Sequence, residues 1–402
     1  MPEFEREPLD LSAIPQKLQK HVQPDAPSKL KMMAARGMLP APPEQMVKVL
    51  YQLHFDSDQK VAGAAKDSLA DMPPNVLGPA IQNADHAGLL DWVGTVRADS
   101  SEIGTIVVRN QATDDQTVAR LAEKADSQLA DVIATNQVRI LRTPKIIEGL
   151  YKNTAVSSAT IDSLIELAQR NNVELKGLPG LSDALKTGQD LFGDKGADDE
   201  SFSALLQQES ERVEKEEEKR RMLEEAGEKL TRSQREKLRQ ELDLGPEEEE
   251  EEGDEFDELD DGSGARGNLY AQLSDMSIAQ KIRLATVGSR EAIKILVRDQ
   301  NKLVHMAAIK SPRIKPADIA KFAGNKSLPD NVIEYIANNR DWTRKYDVVK
   351  NLVNNPKTPL KDTMKFLKHL RQNDLRDVMR SRNVPHQVSR AAKSLMRKRA
   401  GT

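Results

Sequence analysis

Residues 352–367 read LVNNPKTPLKDTMKFL, with Pro356 and Pro359 set between two apolar stretches. A helix does not run through proline, which lacks the N–H and crowds the preceding turn. The spacing therefore predicts a helix that stops at Asn354-Asn355 and another that starts after Pro359. The same alternation of short stretch and corner recurs as 315–323, 329–337, 346–353, 361–370 and 386–396. Within each stretch apolar residues fall three and four apart, the period of one helix face. Pro or Asp stands at the starts and Asn or Gly at the ends. Helices of two or three turns are marginal alone in water, so these must pack on neighbours.

The corner is one tooth of a repeat. LVNNPKTPLKDTMKFLKHLRQND (352–374) aligns without a gap on LYKNTAVSSATIDSLIELAQRNN (150–172), placing Asn355 on Asn153, Phe366 on Leu164 and Asn373 on Asn171. Further back, 335–339 (YIANN) falls opposite 132–136 (VIATN), and 308–323 opposite 107–122. Two helical regions thus read as copies of one array, offset by about 200 residues. A shorter period of about 44 residues pairs Pro312 with Pro356, Asp318 with Asp362 and Phe322 with Phe366. An α-solenoid is the physical consequence: each unit has an apolar face it cannot bury alone, and stacking buries it. The alternative is a helical bundle with chance periodicity. These spacings resemble the HEAT/armadillo-like helical-repeat superfamily, and the Asn-Pro-x-Thr-Pro corner is similar to the leucine-rich-repeat-variant type of bacterial solenoid. The resemblance implies a fold and a binding style but no ligand and no catalytic residues.

Composition fits stacked helices: 38% of residues are hydrophobic and only 3% aromatic. Cysteine is absent, which excludes disulfides, thiol nucleophiles and cysteine-ligated metal sites. The N-terminus MPEFEREPLD has no apolar core of a signal peptide, and no apolar run approaches the ~18 residues of a membrane span. A cytoplasmic protein without membrane insertion is expected. Four regions separate: a loose Pro-rich tail at 1–26, a helical-repeat array at 27–190, a charged linker at 194–264 and a basic helical-repeat array at 265–402.

The net charge of −4 hides a strong asymmetry. In the linker, 201–242 is dense in Glu, Lys and Arg with pairs such as Glu217/Arg221, and reads as a solvated helix. Its sparse apolar residues do not keep the heptad of a coiled coil. Residues 246–264 (PEEEEEEGDEFDELDDGSG) are almost purely acidic and are expected to be disordered. Residues 265–402 then carry 29 Lys and Arg against 11 Asp and Glu. Such a surface suits an acidic protein, the chain's own acidic tract at high effective concentration, or a nucleic-acid backbone.

No motif for chemistry survives scrutiny. Residues 262–267 spell GxGxxG, but an acidic run precedes them where a dinucleotide site needs a strand. The six histidines are scattered, without HExxH or a close pair. No cofactor, metal or enzymatic activity is expected. Trp92 in GLLDWVG reads as core, whereas Trp342 in NNRDWTRKYD either fills a gap between helices or grips a partner beside its flanking cations. The candidate contact residues are Arg340, Trp342, Arg344, Lys345, Lys365, Lys368 and Arg371. The function expected is a non-enzymatic scaffold or adaptor that binds proteins on its repeat surfaces. The second reading is a nucleic-acid-binding repeat protein restrained by its acidic linker.

Overall fold

The computed structural model describes residues 5–187, 191, 198–227, 265–381 and 384–400. Among the described residues there are 24 α-helices, two short 3-10 turns and no strand. They divide into two compact units, Met1–Gly177 and Leu178–Thr402.

In the first unit, α1 (Gln16–Gln19) precedes α2 (Ser28–Ala35), α3 (Pro43–Leu53), α4 (Gln59–Ala70), α5 (Pro74–Ile81), α6 (Ala87–Val96), α7 (Ser101–Arg109) and α8 (Asp115–Lys124). Then come α9 (Ser127–Thr135), a short α10 (Gln137–Arg142), α11 (Lys145–Lys152) and α12 (Ser158–Arg170). Each helix packs on the next but one. One series runs α2, α4, α6, α8, α11 and the other α3, α5, α7, α9, α12. Aspartates start many of these helices: the side chains of Asp58, Asp114 and Asp126 accept the first-turn N–H groups of α4, α8 and α9. The core is aliphatic apart from one aromatic cluster, where Trp92 lies against Tyr51 and stacks on His54 at 5.2 Å.

The second unit contains α13 (Pro179–Lys186), α14 (Asp199–Gly227), α15 (Ala265–Ser274), α16 (Ile278–Val287), α17 (Arg290–Leu296), α18 (Lys302–Ile309) and α19 (Pro316–Gly324). It ends with α20 (Asp330–Asn338), α21 (Tyr346–Asn354), α22 (Leu360–Phe366), α23 (Gln372–Arg380) and α24 (His386–Ala400). Next-but-one packing recurs: α16 on α18, α18 on α20, α22 on α24, and α19 on α21 on α23.

The corner at 355–358 works as a double tie. Asn355 is buried, and its Nδ2 donates to the carbonyls of Ala323 at 2.9 Å and Asn325 at 3.1 Å, at the end of the neighbouring α19. Its Oδ1 accepts the Lys357 N–H, and Thr358 Oγ1 donates back to Leu352 O. Asn153 makes the same set in the first unit, donating to Ala122 O and Ala125 O and accepting from Ala155 N. Asn110 and Thr113 repeat it once more, on Ile81, Gln82, Ala84 and Val107. Orphan carbonyls at one helix end are thus satisfied by the corner that follows the next helix of the same series.

Four expectations need revision. The 44-residue period is not the structural unit. Helices α4, α6, α8 and α11 begin at 59, 87, 115 and 145, and α17, α19, α21 and α23 at 290, 316, 346 and 372, so same-series helices recur every 26 to 30 residues. Each helix with its corner takes about half of that, so a shift of 44 residues spans three helices and lands in the opposite series. Second, the segment expected as a loose tail is docked. Leu9, Ile14, Leu18 and Val22 are buried, Tyr51 Oη donates to Glu7 O at 2.7 Å, and Arg6 pairs with buried Asp91 at 2.6 Å. Third, α13 packs on α16 and α18, so the division falls at 177/178 and not after 190. Gly180 makes this possible, since a Cβ there would lie 2.7 Å from the Ala307 backbone. Fourth, the start of the charged linker has a core: Phe202, Leu205, Leu206 and Glu209 are buried, on an i, i+3, i+4, i+7 stripe, and α14 packs on α16. Residues 228–242 of the predicted linker helix, the acidic run 246–264 and residues 262–264 of the GxGxxG lie outside the described residues.

Candidate functional site

Alternating helices put successive corners at opposite ends of the stack. Helices of one series run parallel. In the second unit, the first turns of α17 and α19 meet through Arg290 and Lys294 on Asp318, at 2.9 and 3.5 Å. The first turns of α21 and α23 meet through Tyr346 Oη on Asp374 and Lys350 on Asp374 at 3.5 Å. The corners 288–289, 310–315, 339–345 and 367–371 therefore share one edge. Arg399 donates to Leu370 O and Lys368 O at 2.7 Å, which brings the end of α24 to the same edge.

That edge gathers the predicted residues. Arg340, Arg344 and Lys345 are exposed on corner 339–345; Lys368 and Arg371 are exposed on corner 367–371, with Lys365 exposed in the last turn of α22. Arg344 pairs loosely with Asp341 at 3.4 Å, both largely in solvent. The Arg371 guanidinium stacks on the Tyr346 ring at 4.5 Å from its centroid, while the Arg371 backbone N–H donates to Tyr346 Oη. Trp342 is half-buried and edge-on to Tyr335 at 5.6 Å, so its ring is engaged within the protein. The rings of Trp342, Tyr335 and Tyr346 are all engaged by neighbouring side chains, which leaves cations as the main offering of the edge.

Three residues carry the clearest signal. The N-cap positions of α19, α21 and α23 are Lys315, Lys345 and Arg371, none of which can accept a first-turn N–H. In the first unit the N-caps of α4, α6 and α8 are Asp58, His86 and Asp114, and each side chain does accept one. The aligned position thus carries Asp114 in one unit and Lys315 in the other. A basic N-cap forgoes a capping bond of ~1 kcal/mol and opposes the helix dipole. Asp318, Asp347 and Asp374 in the first turns offset part of that cost. Burial pushes the Asp318 carboxyl up, but the Arg290 hydrogen bonds and the charges of Lys294 and Arg290 hold it below the usual carboxylate range.

Sequence reasoning missed the corner 310–315. Lys310 pairs with Asp183 and lies 5.2 Å from the Tyr335 ring centroid, and Arg313 donates to Gly288 O at 3.3 Å. Burial lowers the Arg313 guanidinium, and the charges of Glu217 and Glu216 on α14 act in the opposite sense. Arg397 and Lys398, in the short basic cluster that the sequence shows at 390–402 but outside the candidate contact residues, are exposed on the last turns of α24. The recurrence of Arg at 313, 344 and 371 was available as a signal only with the correct repeat length. Among the described residues no helix is long and apolar enough to cross a membrane. No protein-family model, no curated protein and no solved structure matches this chain.

Proposed function

We propose that the chain is a non-enzymatic scaffold or adaptor made of two helical-repeat arrays, and that the basic edge of the second unit binds an acidic protein partner. One observation carries the reading: Lys315, Lys345 and Arg371 stand at three successive N-caps of one series, none with a side-chain cap bond, and Lys315 holds the position from which Asp114 caps the aligned helix of the first unit. Local stability is given up three times in register, and the exposed cations beside those positions gain from it. The internal use of Trp342 and Tyr346 favours an acidic polypeptide over a nucleic acid, whose bases need free stacking faces.

The test uses this trade-off. Asp at 315, 345 and 371 together restores capping acceptors as Asp114 does, so the triple variant should melt no lower than the parent. It should also lose salt-sensitive binding of labelled poly-L-glutamate, measured by fluorescence anisotropy. A triple variant that binds like the parent overturns the reading. Binding of a labelled DNA or RNA oligonucleotide more tightly than poly-L-glutamate moves the chain to the nucleic-acid class.

A further inference from the structure

The chain already carries one acidic helix at its basic edge. α14 is fixed there by Phe202, Leu205 and Leu206, buried where it packs on α16, and by Glu209. The Glu209 carboxylate is fully buried; it accepts the Ser289 N–H at 2.9 Å, in the corner 288–289, and Arg212 Nη1 at 2.9 Å. Seven and eight residues later, Glu216 and Glu217 act on Arg313 of the next corner along the same edge. Seven to eight residues of α-helix advance ~11 Å. Neighbouring packed helices stand ~8–10 Å apart. A helix that crosses the corners therefore meets a new one about every seventh residue, and α14 is bonded to the first of them through Glu209 on the Ser289 N–H.

Beyond Arg313 the edge continues through Arg340, Arg344 and Lys345, then Lys368 and Arg371, and reaches the end of α24 at Arg397. These are exposed cations at the same repeat step. We propose that this open part of the edge takes an acidic α-helix of a partner protein, laid across the corners as α14 is, with carboxylates recurring about every seven residues on one face. The inference rests on the proposed acidic-partner function and deepens it. It assigns the partner's secondary structure and charge spacing, and gives α14 the role of the built-in pattern. Its chemistry is ionic and partly exposed, so specificity comes from register across several corners and not from any one pair.

The experiment titrates full-length protein with two labelled 21-residue Ala-rich helical peptides of equal composition. One has glutamate pairs recurring every seven residues; the other has the same glutamates in scrambled order. Poly-L-glutamate and a 20-nucleotide single-stranded DNA complete the set, all at low and physiological salt. The heptad peptide should bind about tenfold tighter than the scrambled one, the scale of one or two added ion pairs. Arg340→Glu with Lys345→Glu should abolish that preference. An acidic residue at 345 favours the start of α21, so an unchanged melting curve separates lost binding from lost folding. Equal binding of both peptides overturns the helix inference and leaves the acidic-partner reading standing. No binding of either peptide or of poly-L-glutamate at low salt overturns both, as does tighter binding of the DNA.

Discussion

Replacing Asn355 tests the corner that ties each helix to its neighbour in the same series. Asn355 is 2% exposed and makes three hydrogen bonds there: to Ala323 O at 2.9 Å, to Asn325 O at 3.1 Å and from Lys357 N at 3.0 Å. A net hydrogen bond contributes ~1 kcal/mol, and stranding a buried partner costs more. Asn355→Ala should therefore lower stability by ~2–4 kcal/mol. Asn355→Asp should cost more than the alanine, because it keeps the acceptor for Lys357 N but points a carboxylate at two carbonyls. The neighbouring Asn354→Ala is the control. Asn354 bonds only within its own helix, to Lys350 O at 3.1 Å, and should change stability by no more than ~0.5 kcal/mol. The assay is urea unfolding followed by circular dichroism at 222 nm. The two units need not unfold together, so each transition is fitted separately. Asn153→Ala should move the first-unit transition by a similar amount, since it makes the same three bonds. If Asn355→Ala costs no more than Asn354→Ala, or Asp is tolerated better than Ala, the tie is not what joins the repeats.

Two glycines in helices should respond in opposite directions. Gly63→Ala meets nothing within 4 Å and should gain ~0.5–1 kcal/mol, whereas a Cβ on Gly149 would lie 2.8 Å from Ala119 O, so Gly149→Ala should lose ~1–2 kcal/mol despite better helix propensity; matched melts of the two variants check this. Glu209→Ala strands the Ser289 N–H in a buried corner and should release α14, read as faster tryptic cleavage at Arg212 and Lys215 with the remaining helices unaffected. Asp318 has a depressed folded pKa, so its contribution is present above the unfolded carboxylate value of ~3.9 and is lost as pH falls through the lower folded value. Melting of the second unit should therefore weaken in acid, and an unchanged acid profile in Asp318→Asn would count against the Arg290–Lys294–Asp318 clasp.

How much of this was legible in sequence depends on the range over which each signal acts. Proline placement and apolar spacing located α19, α20 and α21 to within a residue, because backbone sterics and one-sided burial are local, but α22 ends four residues earlier and α24 four residues later than expected, and α23 was not foreseen. The pairing of Asn153 with Asn355 was also legible, since both serve the same corner. The candidate cations were picked as a charge cluster, and the structure assembles them on one edge. The repeat length was misread, since helices of both series have similar length and apolar pattern, and only their contacts tell one series from the other. The tail at 5–22 and the start of α14 read as polar because a few buried side chains, Ile14 and Glu209 among them, decide their place. Tyr51 bonds Glu7 and Ser289 bonds Glu209 across 44 and 80 residues of sequence. The sequence by itself determined that this chain folds into short helices held at Asn- and Pro-marked corners, as φ restriction, capping and amphipathic period act within one turn. Only tertiary structure decided which helices stack, where the two units divide and that Lys315, Lys345 and Arg371 line a common edge, for parallel packing of alternate helices sets distances that no local spacing encodes.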